Sequence, residues 1–120
     1  MKFKVLPIFM LALISLTTGC TVLVAPEQQY ELSPGGEAIA IGAEYTDGLW
    51  RDGITVFIDG EEIISGPLTA YEDKGEYRTE LRGMDIRTNC YPRTHFRLVT
   101  ECIVYVNEQQ GALFLFKVKE

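Results

Sequence analysis

The sequence has few of the side chains with which enzymes bind metals and activate substrates. Its 120 residues include one histidine, His95, one tryptophan, Trp50, and three cysteines. No two cysteines have the Cys-x-x-Cys spacing of a zinc site, and no G-x-S-x-G motif, phosphate-binding loop or dinucleotide fingerprint occurs. We therefore expect no catalytic residues, no bound metal and no cofactor, with His95 as a solvated loop side chain.

Basic residues are scarce in comparison with acidic ones. The chain holds 11 Lys and Arg against 17 Asp and Glu. Lys2 and Lys4 lie at the start. From residue 20 onward the chain therefore has nine basic and 17 acidic residues, which gives a net charge of −8. Nucleic acids and anionic lipid surfaces are bound through basic faces, which excludes both as partners of this region. A charged partner is expected to be basic.

The acidic residues do not by themselves predict a site. Asp47, Asp52 and Asp59 each precede a glycine, and Asp-Gly pairs favour tight turns because both residues tolerate positive φ. Turn chemistry therefore accounts for these aspartates. A weak calcium site made of loop carboxylates stays open as an alternative, although the D-x-D spacing of an EF-hand-like loop is missing.

Only one long apolar run is present, over residues 5–16, and a proline and a serine interrupt it. As a helix these 12 residues would span about 18 Å, well short of a hydrocarbon core of about 30 Å. Lysines precede the run and small residues follow it. This arrangement predicts a signal peptide over residues 1–19 and not a membrane-spanning helix.

Residues 16–20 read Leu-Thr-Thr-Gly-Cys. This segment resembles the lipobox of bacterial lipoprotein precursors, although Thr17 stands where leucine is commonest. The resemblance implies that Cys20 receives the lipid and becomes the first residue of the mature chain. Because Thr21 is not an aspartate, it also implies retention in the outer membrane, facing the periplasm. The alternative is an ordinary leader whose cleavage happens to precede a cysteine.

Once Cys20 is assigned to the lipid, Cys90 and Cys102 remain. An even pair of cysteines in an exported chain predicts a disulfide. A tight turn at residues 92–95 would place Cys90 opposite Arg97 and not opposite Cys102. The bridge therefore requires a longer loop, a bulge, or strands that face each other across two sheets.

The region after the leader divides into a tether and a β domain. Residues 20–36 are polar and rich in turn formers, which predicts a lipidated N-terminus and tether, with a short first strand near Val22 and Val24 as the alternative. Residues 37–120 show β alternation. The clearest signal is Asp59-Gly60 between two apolar runs, a type I′ hairpin that should pair Val56 with Ile63 and Phe57 with Glu62.

The fold class expected from these patterns is all-β. About six to seven short strands separated by turn signals indicate a small antiparallel β-sandwich or barrel. The last two strands have apolar residues on both faces, which predicts that they are central strands or strands covered on both sides. The pattern from Gly75 through Cys90 and Cys102 to the closing hairpin is similar to small envelope lipoproteins with a paired-cysteine β domain. The similarity covers roughly half of the chain and implies no activity.

One loop is a candidate for partner binding. Residues 46–53 hold Trp50 next to Arg51, and these residue types are enriched at binding hot spots; the alternative is that Trp50 plugs one end of the domain. We expect a non-enzymatic interaction or accessory module, anchored to the membrane by lipid and binding another envelope protein. The alternatives are an inhibitor or exclusion factor that blocks an enzyme or receptor through this loop, and, third, a hydrolase.

Overall fold

The computed structural model describes residues 21–48, 51–69, 74–93 and 99–117. Over these ranges the chain forms two antiparallel sheets and no helix. The described residues accordingly include no helix that is long and apolar enough to cross a membrane. The strands are β1 (Thr21–Val24), β2 (Gln28–Glu31), β3 (Ala38–Asp47), β4 (Gly53–Ile58), β5 (Glu61–Pro67), β6 (Gly75–Leu81), β7 (Met84–Pro92), β8 (Val99–Val106) and β9 (Gln109–Lys117).

The first sheet has the order β1-β3-β4-β5, with β2 also paired to β3, and the second has the order β6-β7-β8-β9. Because β4 occupies one edge of β3, β1 and β2 lie in line along the other edge. Val24 pairs with Glu44 and Gln28 pairs with Ile41. Pro26, which lies between the two short strands, has no N–H to donate, so the edge strand is interrupted there.

The core lies between the two sheets. Side chains alternate between the two faces of each strand, so every second residue points inward. Full burial of one large aliphatic or aromatic side chain stabilises the fold by roughly 1.5–3 kcal/mol. The buried apolar residues, drawn from both sheets, are Ile39, Ile41, Ala43, Tyr45, Ile54, Val56, Ile58, Ile64, Leu68, Met84, Ile86, Cys90, Cys102, Val104, Val106, Ala112, Phe114 and Phe116.

The all-β class is confirmed, and the two antiparallel sheets make the fold sandwich-like. The predicted number of strands, six to seven, is wrong, because the described residues contain nine. The two additional strands are β1 and β2, which lie inside the predicted tether. Val22 and Val24 on β1 are exposed, while Leu23 packs against the core. Pairing at a sheet edge uses backbone groups, so this segment forms strands although its two valines are exposed.

The central hairpin follows the prediction except at one position. Asp59 and Gly60 have φ values of 51° and 82°, as a type I′ turn requires, and Phe57 pairs with Glu62. Val56 pairs with Ile64, however, and not with Ile63, because the register shifts after Val56. The bulge therefore places Ile64 in the core and leaves Ile63 half-buried.

The closing hairpin confirms its predicted inner face, but the expectation that both faces are covered is wrong for β9. The inner residues of β8 and β9 from Cys102 to Phe116 are buried. On the outer face of β9, Leu113 and Leu115 are exposed by 37% and 48%. This strand lies at the edge of an antiparallel sheet and so is not a central strand, and such a sheet can leave one of its faces to solvent.

Side chains join the two sheets along both long sides of the sandwich. The amide of Gln28 on β2 donates to the Leu113 carbonyl oxygen (2.6 Å) and accepts from the Leu113 N–H (3.1 Å). Beside it, the Tyr30 hydroxyl donates to Gln109 Oε1 at 3.0 Å. On the opposite side, the Tyr77 hydroxyl donates to the carbonyl of Pro67. The hydrogen bonds of Gln28 and Tyr30 hold β2 on the second sheet, and that of Tyr77 joins β6 to the end of β5.

Candidate interaction surfaces

The predicted disulfide pair lies in the hairpin of β7 and β8. Cys90 stands directly opposite Cys102, with an S–S distance of 2.15 Å and a Cα–Cα distance of 4.1 Å. Of the three arrangements that the sequence allowed, the longer loop is the one present, because β7 ends at Pro92 and β8 begins at Val99. The bridge thus joins neighbouring strands within one sheet, and both cysteines are buried.

The other predicted site residues are only partly described. Cys20, Trp50 and His95 lie outside the described residues, while Arg51 is described and exposed. Among the residues that the structure describes, no three His, Cys, Asp or Glu side chains are placed to hold a metal ion together.

The candidate loop is held at its base by Asp52. Since β3 runs to Asp47 and β4 begins at Gly53, the loop covers residues 48–52 and not 46–53. Asp52 Oδ1 accepts from the Gly48 N–H at 3.2 Å, and its other carboxylate oxygen accepts from the Tyr45 hydroxyl. The Asp52 carbonyl accepts from the N–H of Leu68 at 2.8 Å. One aspartate therefore ties the loop to the inner face of β3 and to the residue after β5.

Glycine is required at the start of this loop. A Cβ atom added to Gly48 would lie 2.4 Å from the carbonyl oxygen of Arg51, much closer than two such atoms approach. Gly48 thus serves the loop through this close approach and not through the positive φ that the Asp-Gly pair predicted, which it does not have. The close approach also orients the backbone of Arg51, whose side chain is exposed.

Asp47 lies beside Asp52 at the base of the loop. Partial burial raises the pKa of the Asp47 carboxyl above its usual value, and the negative charge of Asp52 and a hydrogen bond to it raise the pKa further. A carboxyl with a raised pKa favours the neutral, proton-donating form in the folded state. Ionisation of Asp47 at neutral pH therefore opposes folding.

We expect Asp47→Asn to stabilise the protein at neutral pH. The asparagine amide is uncharged and can donate to Asp52 as the protonated carboxyl does. The group is partly exposed, so the gain in the free energy of unfolding should be about a few tenths of a kcal/mol. Stability is lost as pH rises through the raised pKa of Asp47, so the gain should vanish at about pH 3, where the wild-type carboxyl is protonated.

Urea unfolding of the two proteins at both pH values provides the measurement. Glu80→Gln is the matched control, because Glu80 is exposed on the other sheet and forms no ion pair within the described residues. A loss of stability in Asp47→Asn at neutral pH would show that the charged form of Asp47 is the favoured one.

An open groove crosses the outer face of the first sheet, on the side away from the core. It encloses about 230 Å³. Of the described residues that line it, two are acidic, none is basic and the others are apolar or glycine: Val24, Ala25, Glu27, Gly42, Ala43, Glu44, Phe57 and Gly60.

The groove exists because a glycine faces an aromatic ring. Gly42 on β3 pairs with Phe57 on β4, so the floor beside the half-buried ring has no side chain of its own, although Gly42 is buried. The Glu27 side chain lies across this space, since a Cβ on Gly42 would be 3.4 Å from Glu27 Cγ. Glu44 pairs with Val24, which is 70% exposed, at the rim. The groove thus combines an apolar floor with two carboxylates.

On the outer face of the second sheet, Arg78 and Arg87 pair with neighbouring carboxylates. Arg78 lies 3.1 Å from Glu108 and 3.6 Å from Asp85. Arg87 lies 3.3 Å from Glu108, and its guanidinium carbon is 4.1 Å from the centre of the Tyr105 ring. Within the described residues, Glu27 and Glu44 form no such pair. Among these carboxylates, those of the groove are the ones left for a partner.

A second opening lies where β2 meets the turn between β8 and β9. It encloses about 270 Å³ and is lined by uncharged residues, namely Tyr30, Leu32, Met84, Val106, Asn107 and Gln109. The hydrogen bond between Tyr30 and Gln109 crosses this end of the sandwich. The opening offers contact with core side chains but no charge for orienting a ligand.

No protein-family model, curated protein or solved structure matches the chain.

Sequence reasoning missed the groove. Glu27 lies in the predicted tether, and Gly42 lies inside a strand whose alternate residues are buried. A glycine in a strand interior is a signal for a close approach or a bulge, and Gly42 is such a glycine. The signal does not say which side chain lies over the glycine, because that depends on the pairing of β1 and β2 with β3.

Proposed function

We propose that the protein is a non-enzymatic interaction module of the bacterial cell envelope, anchored in the outer membrane by lipid on Cys20 and facing the periplasm. The observation that carries the proposal is the loop at residues 48–52, which Asp52 holds at its base by three hydrogen bonds. A loop whose base is fixed in advance loses less conformational entropy on binding than one whose base is free. Binding surfaces are commonly loops placed on rigid scaffolds.

The position of β1 supports a partner that lies close to the membrane. Thr21, the residue after Cys20, pairs with Asp47, the last residue of β3. A lipid on Cys20 would therefore attach the domain at the end where the loop begins, without a flexible spacer. The partner is accordingly another protein of the same membrane, contacted by Trp50 and Arg51.

Crosslinking in intact cells tests this proposal. A photoreactive residue at position 51 should capture one protein in stoichiometric amount, whereas the same residue at position 80, on the outer face of the second sheet, should not. Capture at both positions or at neither would contradict binding through the loop. Capture of an enzyme or receptor that loses its activity would favour the inhibitor as the function of the loop.

The captured partner then allows a test of Trp50. We expect Trp50→Ala to leave the thermal midpoint nearly unchanged and to weaken binding by about 1 kcal/mol or more, the effect of a significant interface residue. If the substitution instead destabilises the domain by roughly 3–5 kcal/mol, the effect of a large aromatic lost from a core, Trp50 is a plug and the loop is not the binding surface.

A further inference from the structure

The groove on the outer face of the first sheet starts at Val24, three residues after Thr21, and runs away from the proposed anchor towards Gly60. The loop and the start of β1 are at one end of the β3–β4 hairpin, and Gly60, which lines the groove, belongs to the turn at the other end. A partner in the periplasm can thus approach the groove while the domain is held at the membrane. This surface is separate from the loop.

The size of the groove restricts its occupant. Small-molecule sites commonly enclose about 300–1,000 Å³ and bury most of the ligand, whereas this groove encloses about 230 Å³ and is open. Its volume suits one long side chain better than a cofactor. The half-buried ring of Phe57 and the exposed Val24 provide apolar contacts along its length.

The charges of the groove select a cation. Glu27 and Glu44 are carboxylates without an ion-pair partner among the described residues, and no basic residue of the described lining opposes them. Lysine and arginine bury an aliphatic stem while their charged group stays at the surface, and a cation over an aromatic face gains a further attraction. The groove offers both kinds of contact to the same side chain.

We propose that this groove binds a lysine or arginine side chain presented by a basic segment of a protein partner. The stem lies along Phe57, and the charged group lies between Glu27 and Glu44. A polypeptide is the occupant because Val22, 50% exposed on the same face of β1 as Val24, extends the apolar surface beyond the groove. The proposal rests on the proposed function only in that the protein acts by binding.

A titration of the full chain in detergent micelles tests the proposal. The peptide is hexalysine acetylated only at its N-terminus, so that its six side chains stay charged. The amide signals of Gly42, Glu44 and Phe57 should shift in an NMR spectrum of the labelled protein, and those of the second sheet should not. A peptide of six acetylated lysines has the same stems without the charge and should not bind. Shifts spread over the whole acidic surface, or equal binding of the neutral peptide, would overturn the proposal.

Two double variants that remove the same number of charges test whether binding depends on the carboxylates of the groove. The double substitution Glu27→Gln and Glu44→Gln should weaken hexalysine binding about tenfold, which is about 1.4 kcal/mol, because both carboxylates lose their attraction for the lysine ammonium group. The control is Glu37→Gln with Glu80→Gln, which removes two exposed carboxylates elsewhere and should change the affinity by less than about twofold. An equal loss of affinity in the control would show that hexalysine binds by general attraction to the acidic protein and not in the groove.

A third variant changes shape and not charge. Gly42→Val fills the floor of the groove, and its Cβ meets Glu27 and Phe57 at 3.4 and 3.9 Å, which are ordinary contact distances. Binding should fall at least as much as in the double glutamine variant. Wild-type affinity in this variant would contradict the proposed position of the stem. If valine unfolds the protein, the charge variants still decide the question.

The groove proposal and the loop proposal are tested independently. The titration uses purified protein and a synthetic peptide, so it does not depend on the partner captured at position 51. If the peptide does not localise while position 51 crosslinks, the groove proposal is wrong and the loop proposal stands. If the peptide localises and position 51 captures nothing, the reverse holds.

Discussion

Replacing Cys90 and Cys102 together by alanine should lower the free energy of unfolding by about 2–5 kcal/mol, the usual effect of losing a native disulfide from a small domain. The two residues are 12 positions apart, and closing a loop of this length restricts the unfolded chain by about 3 kcal/mol. Both cysteines are buried, so alanine also removes packed sulfur atoms. Denaturant unfolding of both proteins under oxidising conditions provides the measurement.

The surrounding residues make this hairpin sensitive to the loss. Thr88 and Thr100, two residues before each cysteine, are buried, and their hydroxyl oxygens make no hydrogen bond within the described part of the chain. Reducing agent should destabilise the wild-type protein and leave the double variant unchanged. Labelling of both thiols in the folded, periplasmically produced protein would show that the disulfide does not form.

Cys20→Ser should abolish lipid attachment completely and leave an uncleaved precursor. The diacylglycerol transfer needs a thiol, and a lipobox leader is cleaved only after the lipid is attached, so serine should block both steps. Mass spectrometry of the membrane fraction should detect the acyl chains on the wild-type protein and an intact leader on the variant. The expected effect is the largest of any substitution, because it changes where the protein resides.

Thr17→Leu is the matched control for the leader. It places leucine at the position where a lipobox most often has it, so processing should continue at the wild-type rate or faster. A wild-type protein that is released without lipid would contradict the anchor and support the ordinary leader. In that case the stability of the β domain should be unaffected, because its core is formed by residues 39–116.

An anchor at Cys20 would place the domain differently from what a tether implies. Because β1 begins at Thr21 and pairs with β3, the lipid would lie next to the first sheet and not at the end of a flexible segment. The loop after Asp47 would then face the membrane surface, and the groove near Gly60 would face the periplasm. The two proposed contacts are thus directed to different partners.

Local patterns in the sequence determined which residues face the core and where the chain turns. The alternation from Ile39 to Tyr45 predicted one buried face of β3, and Asp59-Gly60 predicted the turn that its φ values show. These features depend on neighbouring residues alone, since side-chain direction has a period of two and positive φ favours particular residue types. The all-β class follows from the same patterns.

Only the tertiary structure decided how the strands combine. The register shift after Val56 put Ile64 in the core in place of Ile63. A shift of one residue reverses which side chains face inward, but both residues are isoleucine, so the alternation could not show it. β1 and β2 became strands because the backbone edge of β3 was free to pair with them. The same pairing brought Glu27 over Gly42, and the turn brought Asp47 next to Asp52. Such contacts arise from the packing of separate segments, and local periodicity contains no information about them.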